Sequence, residues 1–268
     1  MYPKLLHIYG SLSINGYGLM IALGFLLFLY LSYKNPKRSK IISSDLFFNT
    51  IFIGLLAAIV GGRIFFVIEE FNSYSDNWLE MFYPWVGGYG LLGSVIGVLM
   101  TVPVYLRIKK TRVLPFLDLI SIYAPLMQSI SRIGCFLAGC CYGCSACSRL
   151  PWAVVFTSPD SLAPLNVSLH PAQLYSTLVS FLIFLIVLFS SKFKYKTGQL
   201  LFLYLVLESI ARFFVDFWRG NRDYVHGFSL LNSFSDILSF SQLVAIGIFV
   251  FASIGFLWVS FCKNPSKE

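Results

Sequence analysis

Charge is the first thing this chain lacks. Only 12% of its 268 residues are Asp, Glu, Lys or Arg, about half the share a soluble domain carries. With 57% hydrophobic and 18% aromatic residues, that shortage excludes a soluble globular protein and points to a membrane. No polar stretch between the apolar runs is long enough for a second domain. The chain also shows no internal repeat and no pair of broken helices in matching halves, which argues against a transporter. Histidine is scarce, three in all, and none falls within the cysteine cluster described below.

What the chain has instead is seven apolar segments near 15–33, 45–67, 85–106, 114–136, 171–191, 198–217 and 239–261. Each is close to the roughly 20 residues that span a bilayer. The expected fold is an all-α membrane protein, seven transmembrane helices in one bundle, with residues 1–268 forming a single polytopic domain. The net charge of +8 follows orientation rather than nucleic acid. Lys34, Lys37, Arg38 and Lys40 follow the first segment, Arg107, Lys109, Lys110 and Arg112 the third, Lys192, Lys194 and Lys196 the fifth, and Lys263 and Lys267 close the chain. The loops between these are nearly free of Lys and Arg. The positive-inside rule then puts the N-terminus outside and the C-terminus in the cytoplasm, as an odd number of spans requires. The first segment is read as a retained anchor: it is too long for a signal peptide and its basic residues follow the apolar run.

Setting the loop and tail cations aside leaves Arg63, Arg132 and Arg212 inside the spans. A guanidinium in hydrocarbon costs roughly 2.5–3.5 kcal/mol on the lenient scale, and its planar fork suits a phosphate. Counted from the cytoplasmic ends, the three lie at depths of roughly 27, 27 and 21 Å at a rise of about 1.5 Å per residue, all in the outer half of a core about 30 Å thick. They are expected to line one anion-binding cavity facing the outer leaflet, the alternative being separate snorkelling to the interface. Glu208, Arg212 and Asp216 share a helix face at i, i+4 and i+8. That spacing fits an internal ion-pair ladder, yet three arginines against two carboxylates leave one positive charge for an anionic ligand such as a phospholipid phosphate. Gly87, Gly88, Gly90, Gly93 and Gly97 suit close helix packing, or room for a lipid.

Five of the six cysteines cluster as Cys135, Cys140, Cys141, Cys144 and Cys147, on the expected outer side, with Cys262 alone near the cytoplasmic end of the last span. The C-x2-C spacings admit zinc. Without a histidine and in an oxidising compartment, disulfides are the expectation, with one outer thiol left over. No metal and no cofactor are expected.

Ser131-Arg132-Ile133-Gly134 through Gly143 resembles the signature G-R-I-G-N-F-x-N-x-E-x-x-G of the prolipoprotein diacylglyceryl transferases. Tyr17-Gly18-Leu19-Met20, Gly61-Gly62-Arg63-Ile64, His170-Pro171-Ala172-Gln173-Leu174-Tyr175, Arg212-Phe213-Phe214-Val215-Asp216-Phe217 and Ser241-Gln242 are similar to further motifs of that family, in its order. The resemblance implies a multi-pass enzyme of the bacterial inner membrane that moves the diacylglyceryl group of phosphatidylglycerol onto the lipobox cysteine of a prolipoprotein signal peptide, forming a thioether and releasing glycerol phosphate. It implies that Arg132 binds the lipid head group, that Arg212 stabilises the departing phosphate, that Asp216 orients Arg212, and that Tyr17 stands near the site. Arg63, Gly134, Gln173 and Tyr175 are expected among the substrate-binding residues.

The departures concern the base. Leu92 stands where the family carries a histidine, and Cys135, Ala138 and Cys140 replace two asparagines and a glutamate. His170, or Glu208 with burial raising its proton affinity, is expected to take over proton transfer. The alternatives are a paralogue with another acceptor and a non-catalytic phospholipid carrier.

Overall fold

A computed structural model describes residues 4–9, 12–74, 79, 81, 88, 90–146, 150–220 and 238–261. The helices are α1 (Gly16–Lys34), the single turn α2 (Arg38–Ile41), α3 (Ser44–Glu69), α4 (Leu91–Ile108), α5 (Val113–Ala138), α6 (Ala172–Ser190), α7 (Gln199–Val215) and α8 (Phe240–Phe261). Within hydrocarbon every backbone donor must be satisfied internally, and a helix does this within one segment. Helices α1, α3, α5, α6 and α8 are long and apolar enough to cross a membrane. Helix α4 is apolar but shorter, and α7 has 17 residues with Glu208 and Arg212 among them.

The third apolar segment differs from its expected bounds. Its helix begins only at Leu91, because Gly88 has a left-handed φ of 79° and Gly90 is extended. Trp85, Val86 and Gly87 lie outside the described residues, as do Cys147, Cys262, Lys263 and Lys267. The all-α expectation is also incomplete. Strand β1 (Lys4–Tyr9) pairs antiparallel with β2 (Leu12–Asn15), and β3 (Val154–Val155) pairs antiparallel with β4 (Ser168–Leu169). Both pairs lie outside the apolar runs that mark the helices.

The chain divides into two compact units, Asn35–Phe116 and Met1–Lys34 with Leu117–Glu268. In the first, α3 and α4 meet backbone to backbone. A methyl group built on Gly61 would lie 2.5 Å from the Gly93 carbonyl oxygen, and one on Gly97 would lie 2.5 Å from that of Ala57. Ser94 Oγ donates to the Ala58 carbonyl at 2.8 Å. These glycines serve helix packing. Arg63, near the end of α3, donates from Nε to the Met81 carbonyl at 3.0 Å and from Nη1 to that of Gly88 at 3.2 Å. Its guanidinium also lies 5.9 Å from the Phe66 ring centroid and 6.0 Å from that of Tyr74.

In the second unit, α5 is the most enclosed of the spanning helices, with 44% of its span buried against 22% for α1, 33% for α6 and 11% for α8. Helix α1 approaches it at two glycines: a methyl on Gly24 would meet the Met127 carbonyl at 3.1 Å, and one on Gly134 the Tyr17 carbonyl at 3.1 Å. Ser129 Oγ bonds the Thr177 carbonyl of α6 at 2.9 Å. Asp118 of α5, only 2% exposed, accepts the backbone N–H groups of Gly198 and Leu201. It thereby supplies the N-terminus of α7 with the acceptor and negative charge that a helix start needs. At the other end of α7, fully buried Gln242 donates to the Phe213 carbonyl at 3.2 Å and accepts Ser239 N–H at 3.0 Å.

Candidate active site

The site is framed by main chain. Helix α5 ends at Ala138, stopped by Gly139, whose φ of 77° is the left-handed conformation that suits glycine. The segment that follows is held between two others. Gly143 N–H bonds the His170 carbonyl at 3.1 Å, His170 N–H the Cys144 carbonyl at 3.0 Å, Cys144 N–H the Trp218 carbonyl at 2.9 Å, and Gly220 N–H the Tyr142 carbonyl at 3.0 Å. A methyl on Gly143 would fall 2.2 Å from the His170 carbonyl and 2.8 Å from that of Trp218, so no larger residue fits there. The ends of α5 and α7 and the start of α6 are thus held at one place, and Arg219 is bridged to Gly143.

Below this frame lies a cavity lined by Gln128 and Arg132 of α5, by Cys141, by Ala172, Ser176, Val179 and Ser180 of α6, by Glu208, Ala211, Arg212 and Val215 of α7, and by Asp216 and Arg219. Arg132, Arg212, Glu208 and Asp216, expected to act together, do line one space. The third cation of this cavity is Arg219, which counting charges within the apolar runs passes over. Three guanidinium groups face two carboxylates, one positive charge in excess.

The two carboxylates of the expected ladder also have partners off α7. Asp216 closes α7, its N–H donating to the Arg212 carbonyl, and opens a 3-10 turn, Asp216–Trp218. Asp216 reaches Arg219 at 3.8 Å and accepts Ser239 Oγ–H. Glu208 Oε1 accepts Gln128 Nε2–H. Glu208 Oε2 and Arg219 Nε are buried with no hydrogen-bond partner. A buried acceptor and a buried donor left open in one cavity are costly unless a ligand completes them.

His170, Tyr17, Gly134, Gln173 and Tyr175 stand outside that lining. His170 Nδ1 is 3.2 Å from Tyr175 Oη, which also accepts Trp152 Nε1–H at 2.8 Å, and the Tyr175 ring meets Trp218 edge-on. Gln173, 1% exposed, donates from Nε2 to the Cys140 carbonyl at 2.9 Å. Gly134 admits α1 against α5. Tyr17 is 43% exposed, on the first turn of α1 where that helix packs against Gly134 of α5. Arg63 and Leu92 belong to the other unit, where Leu92 is exposed.

The cysteines depart from expectation. Cys135, Cys140, Cys141 and Cys144 are free thiols, so no disulfide joins the described residues. Instead of pairing, the sulfurs of Cys135, Cys140 and Cys141 converge three together, all within 4.8 Å of one another. Cys141 has a left-handed φ of 56°. Hydrogen bonds with Cys135 and Cys140 hold its thiol below the usual thiol range, with the positive charge of Arg132 and Arg219 adding to the effect.

Arg219 and Gln128 are legible in the sequence only in part. Arg219 falls three residues after Asp216, a recognised pairing distance, but beyond the apolar run, where it counts as a loop cation. Gln128 is polar inside a span, which is a mark of function or packing that charge counting alone overlooks. Asp118 is a buried acid within a span that the same count leaves out.

A family model described as prolipoprotein diacylglyceryl transferase matches residues 3–258. The chain is 37% identical over 251 residues to a phosphatidylglycerol–prolipoprotein diacylglyceryl transferase of Clostridium tetani, covering 94% of this chain and 97% of that one. It is 31% identical over 240 residues to one numbered 2 from Clostridium perfringens, at 90% and 89% coverage. It is 30% identical over 206 residues to one from Clostridioides difficile, at 77% and 79% coverage.

Proposed function

The chain belongs to the prolipoprotein diacylglyceryl transferase family, and we infer that it transfers the diacylglyceryl group of phosphatidylglycerol to a prolipoprotein. The acceptor is the lipobox cysteine thiol of the signal peptide, the product a thioether, and the leaving group glycerol phosphate. The setting is the bacterial inner membrane, crossed seven times by one membrane domain with the N-terminus outside.

The single observation that carries this reading is the cavity of Arg132, Arg212 and Arg219 with its one unbalanced positive charge. A phosphodiester supplies the missing negative charge, and its oxygens suit guanidinium forks. As the carbon–oxygen bond breaks, charge grows on the phosphate, and donors already aimed at it lower the barrier. Asp216 orients Arg219, which it reaches at 3.8 Å. Of the two candidate bases, Glu208 faces the cavity with Oε2 unpartnered, held by Gln128 at its other oxygen. His170 is engaged with Tyr175 outside the lining. Glu208 is therefore the proton acceptor in this reading.

Purified protein incubated with phosphatidylglycerol and a lipobox peptide should yield, by mass spectrometry, a peptide carrying a diacylglyceryl thioether. Replacing Arg132 with Gln should lower the rate about 100-fold, the loss expected when one preorganised donor is removed. Lipid bound without product would replace the transferase by a carrier.

A further inference from the structure

The phosphate side of the reaction is well provided, whereas the thiol side has lost the histidine that Leu92 replaces. What the chain carries instead is the cluster of Cys135, Cys140 and Cys141. Their three sulfurs lie within 4.8 Å of one another. Tetrahedral zinc with bonds of about 2.3 Å holds its sulfurs about 3.8 Å apart, so small side-chain rotations close the cluster onto one ion. Thiolates select soft closed-shell cations, Zn2+ or Cu+, over the oxygen-seeking ones. Cys135 is anchored in the last turn of α5, and Cys140 follows the helix stop at Gly139 and has its carbonyl fixed by buried Gln173. Cys141 follows in a left-handed conformation that is uncommon for a residue with a side chain. No fourth His, Cys, Asp or Glu joins the three among the described residues. Three protein ligands and a fourth position left to an exchangeable group is the pattern of reactive rather than structural zinc sites.

The fourth position has a direction. Cys141 belongs to the cluster and also lines the arginine cavity, so an ion held by the three sulfurs borders the space where the lipid phosphate is expected. Resting on the transferase reading, we propose that Cys135, Cys140 and Cys141 bind a thiophilic d10 cation, zinc above all, and that the acceptor cysteine of the prolipoprotein enters as its fourth ligand. A coordinated thiol is deprotonated. Its proton passes to Glu208, whose Oε2 is open in the same cavity. The sulfur electron pair then attacks the glycerol carbon bearing the phosphate, a carbon–sulfur bond forms, and the carbon–oxygen bond breaks with its electron pair leaving on glycerol phosphate. Nothing is oxidised or reduced.

The test begins with Co2+ as the probe, added to detergent-solubilised full-length protein kept reduced and stripped with a chelator. One equivalent should produce sulfur-to-cobalt absorption in the near ultraviolet and tetrahedral bands in the visible, displaced by Zn2+. Displacement by Cu+ alone would assign the site to copper and exclude the zinc assignment. Cys135→Ser and Cys141→Ser should abolish the bands, with Cys144→Ser retaining them. A lipobox peptide should shift the visible bands, and its Cys→Ser counterpart should not. Activity should fall about 100-fold on stripping and return with Zn2+. Absence of the bands in the wild type, a disulfide among the three cysteines in active protein, or full activity after stripping would overturn the proposal. Wild type that gives the bands but never the thioether would instead sink the transferase reading and leave the ion site standing.

Discussion

Glu208 is the cavity carboxylate proposed above as the proton acceptor. One of its oxygens is held by Gln128 and the other has no partner, so it is both oriented and open. Glu208→Gln keeps the shape and removes the basicity. Turnover of this variant is expected to slow by about 100-fold or more, the lower range of general-base contributions, with phosphatidylglycerol binding changed less than about threefold by equilibrium titration. A variant that loses binding and turnover together would make Glu208 a partner of the arginines instead. Asp118 is the contrasting acid. It receives the first N–H groups of α7 from another helix, and removing it leaves them without an acceptor. Asp118→Ala should destabilise the protein by about 1–3 kcal/mol, seen as a lower Tm in detergent. An unchanged Tm would show that solvent or another group satisfies those donors.

The contact of α3 with α4 depends on residues with no side chain. Gly97→Leu forces bulk into a gap where even a methyl would lie 2.5 Å from the Ala57 carbonyl. A destabilisation of about 1–3 kcal/mol or more is expected, whereas Gly18→Ala, with nothing within 4 Å of the added methyl, should be silent. Thermal unfolding of the two variants side by side decides it. At this scale most of the architecture is legible in the sequence. Hydrophobic runs mark spans because lipid admits only satisfied backbone, and Ser43 and Gly198 stand where α3 and α7 begin. The start of α4 is not legible, since an apolar run with glycines reads as helix until φ at Gly88 is known. Four of the five charged residues of the cavity can be read as well: Arg132, Arg212, Glu208 and Asp216 stand out as charges in apolar surroundings. Arg219 does not, because its place depends on backbone pairing with Gly143 that no periodicity records. The thiols mislead for a similar reason. Spacing along the chain cannot tell two sulfurs that pair from three that converge.

The whole molecule carries its orientation in the loops. The basic stretches at Lys34–Lys40, Arg107–Arg112 and Lys192–Lys196 should all face the cytoplasm. A fluorescent protein fused after Glu268 is expected to fluoresce inside the cell, and an epitope inserted at Asp160 to be reached by antibody only from outside. Antibody access from the cytoplasmic face would reverse the topology and put the arginines at the wrong leaflet. The frame above the cavity bears on how such a protein changes over generations. It is knit from peptide groups of 142–144, His170 and 218–220, and every residue except proline offers the same peptide group. Apart from Gly143 and Gly220, where an added methyl would strike main chain, side chains around it can therefore be exchanged without breaking the peptide-group bonds that hold the frame. A lineage could trade two asparagines and a glutamate for Cys135, Ala138 and Cys140 while the peptide-group frame stayed as it was.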